Sequence, residues 1–377
     1  MLSAEMMKMP ASTSPVAMLQ PFCPHYRTTF FRALQEDPGI DIYCLFSRED
    51  AQKKQFKVSD IPFTKIKTWH IKGPLFFDIR PFLRKQYRIW ILMADPMLGS
   101  NWILLLFAPI LKRKVILWGQ GVPVPKYDHF FSRIPLIWRM MYRLSHGAWF
   151  YTETERGKWL QIYPNLLSVS LNNTLATIPE PISDQSGAEQ KQLREQYHIT
   201  TPVNFIFSAR LDPLRRMDLL LEVINRLPSN RFGFIIIGGG ANASDFAQYP
   251  NVHYFGAVYE KEKKRDLFHI ANIYFQPAWL GLSVVEAMGY SLPILAFERS
   301  EKCLQGVEYG YISESGCGKI VHSVDEAVEV ILSTSADQWI EMGKRGRSYV
   351  EKNLMPENMI GHARSLLKKI SKVSTKE

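Results

Sequence analysis

The segment Tyr274–Phe297 (YFQPAWLGLSVVEAMGYSLPILAF) has the residue types of an anion-binding site. It reads as an apolar run, a loop with Pro and Gly, a helix, and a second apolar run. A loop between a strand and a helix presents unpaired backbone N–H groups and the positive end of the helix dipole. Gly281 and Ser283 are small enough to let backbone approach a phosphate, and the two oxygens of Glu286 suit a pair of ribose hydroxyls. The segment therefore predicts a phosphate site with a ribose beside it.

A set of motifs connects this segment to a known family. LGLSVVEAMGYSLPILA resembles the donor-site segment of the group 1 retaining glycosyltransferases, which have the GT-B fold. FSARLDPLRRMDLLLEVINRLP (Phe207–Pro228) resembles the strand, loop and helix that place an Arg and a Lys on the donor diphosphate in that family. The other segments in family order are FCPHYRTTFFRAL, VILWGQG, SLNNTLATIP, FIIIGGG and VHYFGAV. The ordered set resembles the branch that assembles polysaccharides and lipopolysaccharides.

The resemblance implies roles for residues of the second half. Arg210 stands at the family's Arg position and Arg215 at its Lys position, so this catalytic pair would neutralise the leaving nucleoside diphosphate. Two guanidiniums aimed at a developing phosphate charge meet the electrostatic need, so no metal ion and no other cofactor are expected. The other implied donor-binding residues are Gly281, Leu282, Ser283, Glu286 and, at the edge of the nucleobase, Val258.

Simpler structural interpretations compete with these roles. Arg215 and Arg216 could be a solvated pair at a helix start that interacts with Asp212 or Asp218. Arg216 also stands where the family often has Gly. Glu286, early in its helix, could merely stabilise the helix dipole.

Two positions depart from the family pattern. Ala278 occupies the place of a family Glu that contacts the transferred sugar. Gln120, in WGQG, occupies the place of a family His; its amide can hydrogen-bond a hydroxyl but cannot act as a general acid or base near neutral pH. Gln120 is thus a candidate contact for sugar or acceptor, or a plain turn residue. Arg27, at the start of the first helix, is a candidate acceptor contact.

The pattern of elements predicts an α/β fold with two Rossmann-like domains. Short apolar runs alternate with helical patterns, which indicates βαβ units and parallel sheets. The predicted elements include strands at Val16–Gln20 and Ile89–Met93 and helices at Tyr26–Leu34 and Trp102–Leu111. Pro179–Glu189, rich in Pro, Ser and Gly, predicts a linker. We expect an acceptor-side domain over 1–180 and a nucleotide-sugar domain over 181–355. The resemblance implies that the two face each other across a cleft and that the last helix, within 356–377, packs back on the first domain.

The charge of the chain is uneven. The net charge is +10: residues 1–180 hold 23 basic and 13 acidic residues, whereas 181–377 hold 23 of each. This asymmetry predicts an anionic partner for the first domain, either a membrane surface or a phosphorylated acceptor. No zinc-finger, RRM or helix-turn-helix pattern is present in the sequence, so nucleic acid is not expected as a partner.

The segment Lys126–Phe150 predicts an interfacial helix. It interleaves Arg133, Arg139 and Arg143 with aromatic residues, a composition suited to anionic lipid. Its apolar residues also recur at helical spacing, so they could pack on the first sheet instead. These residues are Ile134, Ile137, Met141 and Leu144.

The remaining composition indicates the compartment. The longest apolar run, Trp102–Leu111, is interrupted by Pro109 and is too short to cross a bilayer. The N-terminus carries Glu5 and no sustained apolar stretch, unlike a signal peptide. The four cysteines lack metal-site spacing and suit free thiols in a reducing compartment. We therefore expect a cytoplasmic protein, peripheral on the inner face of the cytoplasmic membrane.

These features together predict a glycosyltransferase of the hexosyltransferase type. It would move a sugar, with retention, from a nucleoside-diphosphate sugar to a glycan or lipid-linked acceptor in cell-surface polysaccharide synthesis. One alternative is a non-catalytic relative that binds nucleotide sugars or acts as a scaffold, which Ala278 and Gln120 favour. The other is a nucleotide-sugar 2-epimerase of the same fold, although no carboxylate-rich site is evident in the first half.

Overall fold

The computed structural model describes residues 15–53, 56–181, 187–240, 246 and 248–372. As far as they are described, Met1–Gly121, Arg133–Asn172 and Pro356–Glu377 form one α/β unit, and Val122–Ser132 and Asn173–Met355 form a second. The main passage between the units is at Asn172–Asn173, ahead of the predicted boundary at residue 180. Residues 182–186 of the predicted linker lie outside the described residues.

The first unit contains a seven-stranded parallel sheet. The strands of this unit are β1 (Val16–Gln20), β2 (Ile40–Cys44), β3 (Thr64–Lys65), β4 (Thr68–His70), β5 (Leu75–Phe77), β6 (Ile89–Met93), β7 (Lys114–Gly119), β8 (Gly147–Phe150) and β9 (Ser168–Ser170). The sheet order is β3-β2-β1-β6-β7-β8-β9, while β4 and β5 form a separate antiparallel pair. β1 and β8 are buried along their whole length, as expected for parallel strands covered on both faces.

The first helices of the chain connect these strands. They are α1 (Thr28–Glu36), α2 (Arg48–Lys53), α3 (Gly99–Phe107), α4 (Tyr127–Phe130), α5 (Leu136–Leu144) and α6 (Glu153–Ile162), of which α4 belongs to the second unit. A 3-10 turn, His25–Arg27, precedes α1, so the helix begins later than the predicted Tyr26. α3 begins at Gly99, ahead of the predicted Trp102, and ends at Phe107, before Pro109, because a proline disfavours helix in the residue before it.

The second unit contains a six-stranded parallel sheet. Its strands are β10 (Val203–Ser208), β11 (Phe232–Ile237), β12 (Val252–Tyr254), β13 (Ile273–Phe275), β14 (Ile294–Phe297) and β15 (Gly318–Val321). Its helices are α7 (Gly187–Gln196), α8 (Met217–Arg226), α9 (Lys261–Ile270), α10 (Ser283–Gly289), α11 (Gly310–Ser315), α12 (Val324–Ser333) and α13 (Ala336–Tyr349). α13 begins with a capping box between Ser335 and Gln338.

The last helix, α14 (Pro356–Lys372), belongs to the first unit. It packs on α1, β8 and β9. Its buried residues recur at helical spacing and face that unit's core; they are Met359, Ile360, Ala363, Leu366, Leu367 and Ile370.

Both sheets have a topological switch point, which determines where a ligand can bind. The second sheet runs β12-β11-β10-β13-β14-β15, the 3-2-1-4-5-6 strand order of doubly wound nucleotide-binding folds. Strand order reverses between β10 and β13 there, and between β1 and β6 in the first sheet. In such folds ligands bind outside the carboxyl ends of the strands at this point. Every helix in the described part of the chain is too short or too polar to span a bilayer.

Candidate functional site

The switch point of the second sheet lies between two loops that carry predicted donor-site residues. β10 is followed by Arg210 and by a 3-10 turn, Pro213–Arg215, which the Asp212 carboxylate caps by accepting from the Leu214 N–H at 3.0 Å. The neighbouring strand β13 is followed by the loop that leads to α10. The structure thus brings Arg210, Arg215 and the segment before Glu286 to one edge of one sheet.

Two glycines after β11 hold the Arg210 loop in place. A Cβ on Gly238 would lie 1.8 Å from the Ala209 carbonyl oxygen, and a Cβ on Gly240 would lie 2.1 Å from that of Leu211. The Leu211 N–H donates to the Gly239 carbonyl at 2.9 Å, so the two backbones pair beyond the ends of their strands. The sequence shows the Gly cluster, but only the fold shows that it positions Arg210.

The Arg215 side chain has unused hydrogen-bonding capacity. Its Nη1 donates to the Trp279 carbonyl oxygen at 2.6 Å. Its Nε is buried and has no hydrogen-bond partner among the described residues. Burial lowers the pKa of Arg215, and the positive charge of nearby Arg210 acts in the same direction, opposed by Asp212 and Tyr274. Two like charges with a buried N–H donor left over are an arrangement that an anion would stabilise.

Arg216 has a different role from its neighbour. Its guanidinium forms a bidentate ion pair with Asp218, at 2.7–3.1 Å, and Nη1 donates to the Lys302 carbonyl at 2.6 Å. Its backbone is left-handed, with φ 52° and ψ 54°, a conformation that favours glycine. The interpretation of a helix-start pair bound to Asp218 therefore holds for Arg216. That interpretation does not describe Arg215, whose guanidinium contacts the Trp279 carbonyl.

Gln276 organises the loop after β13 and was not singled out from the sequence. This buried amide donates to the carbonyls of Ala278 and Trp279, at 2.9 and 3.0 Å. Its oxygen accepts from the Tyr274 hydroxyl at 2.7 Å and the Ser283 hydroxyl at 3.2 Å. Trp279 O, held in this way, is also the acceptor for Arg215. The signal in the sequence that could have indicated this role is a polar Gln at the end of an apolar strand.

Glu286 is engaged in an ion pair. Lys264 of α9 places its Nζ 2.6 Å from Oε1 and 2.8 Å from Oε2 of Glu286. The alternative of a dipole-only role is therefore incomplete, since the carboxylate has a specific cationic partner. Each carboxylate oxygen has two lone pairs, so two acceptor positions remain for hydroxyl donors.

The rest of the donor segment combines an open position with packed ones. The nearest atom to a Cβ on Gly281 would be Glu308 Oε2, at 3.9 Å, so a side chain would fit there. Leu282 and Val258 are partly buried and pack on the same apolar cluster. Ala278, where the family has Glu, is fully buried.

The first-unit candidates also lie at the carboxyl edge of their sheet. Gln120 follows β7 between two glycines: a Cβ on Gly119 would lie 2.9 Å from that of Ala94, and one on Gly121, with φ 76°, would lie 2.9 Å from the Phe150 ring. The Gly121 carbonyl accepts from the Trp159 indole at 2.8 Å. The turn therefore presents Gln120 at the edge because its flanking residues are fixed by packing.

Arg27 is buried, with 5% of its surface exposed. Its guanidinium carbon lies 4.8 Å from the ring centroids of both Trp118 and Tyr151, between the ends of β7 and β8. Cation–π contacts of this kind stabilise a desolvated Arg by about 2 kcal/mol. The structure thus gives Arg27 a packing role at the place where an acceptor contact was predicted.

The comparisons with known proteins agree with this architecture. Residues 189–351 match the family described as glycosyl transferases group 1. No curated protein sequence matches the chain. The solved structures similar to the chain include Alr3699/HepE from Anabaena in complex with UDP and glucose, with TM-score 0.58 and 11% identity over 96% of this chain and 100% of that one.

Two other solved structures share the fold over nearly their whole length. A glycosyltransferase from Rickettsia africae ESF-5 has TM-score 0.61 and 13% identity over 95% of this chain and 99% of that one. WaaG, a glycosyltransferase involved in lipopolysaccharide biosynthesis, has TM-score 0.52 and 14% identity over 92% and 98%. Similarity at these identities establishes a shared fold and leaves substrates open.

Proposed function

Residues 189–351 match the group 1 glycosyltransferase family and the chain has the GT-B fold, and from this premise we propose that it performs a sugar-transfer reaction. It transfers a sugar from a nucleoside-diphosphate sugar, with retention, to a glycan or lipid-linked acceptor in the synthesis of a surface polysaccharide. The observation that carries the proposal is the environment of Arg215. Its buried Nε has no partner among the described residues and lies in a loop at the switch point of the second sheet.

The reaction needs a charge-neutralising group at the leaving diphosphate. As the bond from the anomeric carbon to the phosphate oxygen breaks, its electron pair goes to the diphosphate, which becomes more negative. Arg210 and Arg215 supply positive charge there before the reaction begins, and preorganised charges of this kind lower the barrier. The acceptor hydroxyl forms the new bond and gives its proton to a phosphate oxygen of the leaving group.

The same pair supports the proposal that no metal ion is required. Two guanidiniums offer several N–H donors in a planar geometry that matches phosphate oxygens. Transfer activity that is unchanged by a strong chelator would support this; activity lost to the chelator and restored by Mg²⁺ would contradict it.

The nucleoside is proposed to bind beside the diphosphate. Glu286 accepts from the ribose hydroxyls with the lone pairs that Lys264 leaves unused, and the backbone near Val258 contacts the base. The ligands of a similar structure support this placement of the nucleoside, since Alr3699/HepE from Anabaena is in complex with UDP and glucose. A thermal-shift screen of nucleoside-diphosphate sugars should identify one donor that raises the melting temperature, since binding to the folded state stabilises it.

A non-catalytic, donor-binding relative is the second candidate, because a buried Ala278 replaces the family's sugar-contacting Glu. The two functions differ in turnover. Purified protein incubated with the donor found by the screen should release nucleoside diphosphate, by transfer or slow hydrolysis, and Arg210→Ala should abolish this release. Tight donor binding without any release, in the parent and the variant alike, would favour the non-catalytic function.

The membrane proposal rests on a surface of the first unit formed by α3 and α5, which contact each other. On α5, Met141 is buried, but Leu136, Ile137 and Met140 are exposed, so the apolar stripe is only partly used for packing. The end of α3 and the loop after it expose further large apolar residues: Leu106, Phe107, Ile110 and Leu111. Arg133, Arg139 and Arg143 are exposed as well. We name these residues the α3–α5 surface.

This surface has the chemistry of a peripheral membrane contact at the inner leaflet. Exposed apolar side chains can enter the headgroup region, and each cation near an anionic surface contributes about 1 kcal/mol. The triple variant Arg133→Gln/Arg139→Gln/Arg143→Gln should bind vesicles containing phosphatidylglycerol much more weakly, and salt should weaken the parent. Equal sedimentation with neutral and anionic vesicles, or none at low salt, would contradict the proposal.

A further inference from the structure

A cavity of about 640 Å³ lies at the amino-terminal edge of the first sheet. It is bounded by the starts of β1, β6 and β7, by the turn between α1 and β2, and by the end of α14. Small-molecule sites commonly have volumes of about 300–1,000 Å³. Gln120 lies at the other end of β7, and six extended residues span roughly 20 Å, so the cavity is separate from the carboxyl edge.

The residues that line the cavity are strongly basic. The five cationic side chains at its walls are Arg88, Lys112, Lys114, Arg364 and Lys368. Of the described lining residues one is acidic, Asp37, and its carboxylate lies 3.3 Å from Nε of Arg364. Arg364 also donates to the Ala33 carbonyl at 2.8 Å, so it fixes the turn between α1 and β2.

The other four cations have no acidic partner in the described part of the chain. Within the described ranges no carboxylate lies at ion-pair distance from Arg88, Lys112, Lys114 or Lys368. Arg113, between two of them, has its pKa lowered by burial and by the charge of Arg88. Like charges gathered around a concave site raise the local potential and attract anions.

The floor of the cavity is apolar. We use this term for four lining residues that are apolar and buried, Val16, Ile89, Leu367 and Ile370. We propose that this cavity binds a phosphate-bearing ligand, with the phosphate among Arg88, Lys112, Lys114 and Lys368 and the less polar part of the ligand against the floor. Phosphate is favoured because several convergent ammonium and guanidinium donors can share its oxygens.

The phosphate can come from a soluble molecule or from a lipid headgroup. Ile110 and Leu111 directly precede Lys112 and are exposed, Ile110 by 73%. A bilayer that received these side chains would bring its headgroups to the cationic wall. The experiment therefore tests both sources of the same chemistry.

The test is lysine footprinting of the full chain, read residue by residue by mass spectrometry. Acetylation of Lys112, Lys114 and Lys368 is measured alone, with pyrophosphate, with vesicles of phosphatidylglycerol and phosphatidylcholine, and with phosphatidylcholine vesicles. Lys67 and Lys72, exposed on the same unit but not in the cavity, are the internal controls. Several-fold protection of the cavity lysines by pyrophosphate supports a soluble ligand, and protection by the anionic vesicles alone supports a lipid headgroup.

A variant confirms that the cavity cations do the binding. In Arg88→Gln/Lys114→Gln/Lys368→Gln, the probe concentration that half-protects Lys112 should rise about tenfold or more, because charge-assisted hydrogen bonds are lost. The control Lys67→Gln/Lys72→Gln/Arg84→Gln makes the same change in net charge and should leave that concentration unchanged.

Two results would overturn the proposal: no protection by either probe, or equal protection of Lys67 and Lys72. If the triple variant fails to fold, the footprint of the parent protein decides alone. None of these measurements involves sugar transfer, so their outcome does not depend on whether the proposed donor site is correct.

Discussion

The two sheets have the same strand order around the switch point, yet the arginines after their first strands have opposite environments. Arg27, after β1, is buried between the rings of Trp118 and Tyr151. Arg215, after β10, donates to the Trp279 carbonyl and has the positive charge of Arg210 nearby. The first guanidinium is enclosed by aromatic rings, whereas the second lies beside a like charge that an anion would offset.

The difference shows that position in a fold does not decide the role of a side chain. Both arginines lie where a doubly wound sheet binds ligands. The neighbours decide: aromatic rings surround the guanidinium at the first sheet, while at the second the Gln276 amide holds the loop carbonyl that accepts from Arg215. The following predictions test this contrast, beginning with the largest effect.

Removing the Arg215 guanidinium should lower the rate of sugar transfer and leave the stability of the fold nearly unchanged. Arg215→Ala should lower the rate of sugar transfer by roughly 10²–10³-fold, the usual loss for one preorganised donor, with little change in melting temperature. Arg216→Gly is the matched control, because its left-handed backbone suits glycine and its side chain binds Asp218 and the Lys302 carbonyl, away from Trp279. If Arg215→Ala transfers sugar at the rate of the parent protein, the contrast between Arg215 and Arg27 has no functional meaning.

The glycines beside the donor site should separate into two classes. Gly238→Ala places a Cβ against the Ala209 carbonyl at φ 157°, so we expect a loss of about 2–3 kcal/mol in unfolding free energy. Gly281→Ala meets no atom nearer than 3.9 Å and should be as stable as the parent while binding donor more weakly. Denaturant titration and calorimetry measure the two effects. If Gly281→Ala binds the donor as tightly as the parent protein, Gly281 is not part of the donor site.

Replacing Arg27 should have the opposite result to replacing Arg215: the stability of the fold should fall while nucleotide binding is unchanged. Arg27→Met should lower the unfolding free energy by about 2 kcal/mol through loss of its cation–π contacts, and leave nucleotide affinity unchanged. Arg32→Ala, whose exposed ion pair with Asp60 contributes about 0–1 kcal/mol, is the control. If Arg27→Met is fully stable but loses transfer to the acceptor, the predicted acceptor contact is right and the packing role is wrong.

The smallest effect is expected at the ribose position. Glu286→Ala should weaken binding of the nucleoside diphosphate by about tenfold, the value of one charge-assisted hydrogen bond. Lys264→Ala should preserve most of this affinity, because the carboxylate remains. Isothermal calorimetry distinguishes the outcomes, and unchanged affinity in Glu286→Ala would leave the residue with its ion pair as its only role.

Much of the fold could be predicted from local pattern. The apolar runs Val16–Gln20 and Ile89–Met93 are strands with the predicted bounds, because buried parallel strands are nearly continuous in apolar residues. The pair β4 and β5 and the edge strand β3 were not predicted. These strands are short and their residues are largely exposed, so their sequences carry no periodic pattern of apolar residues.

The donor site was predicted in its sequence positions but not in its contacts. Gln276 was missed because a single buried amide has no spacing to reveal it. The partner of Glu286 was also missed, since Lys264 lies on a different helix. Such contacts join residues far apart in the chain, and no local pattern encodes them.

The sequence by itself determined the α/β class, the ordered motifs of the donor segment and the excess of positive charge in the first half. It also placed an arginine after the first strand of each sheet and two neighbouring arginines in one loop. Only the tertiary structure decided that Arg216 pairs with Asp218, that Arg27 is enclosed by aromatic rings, and that Arg215 retains an unused donor. The physical reason is that the state of a charged group depends on which distant dipoles, rings and charges desolvate it, and folding alone brings them together.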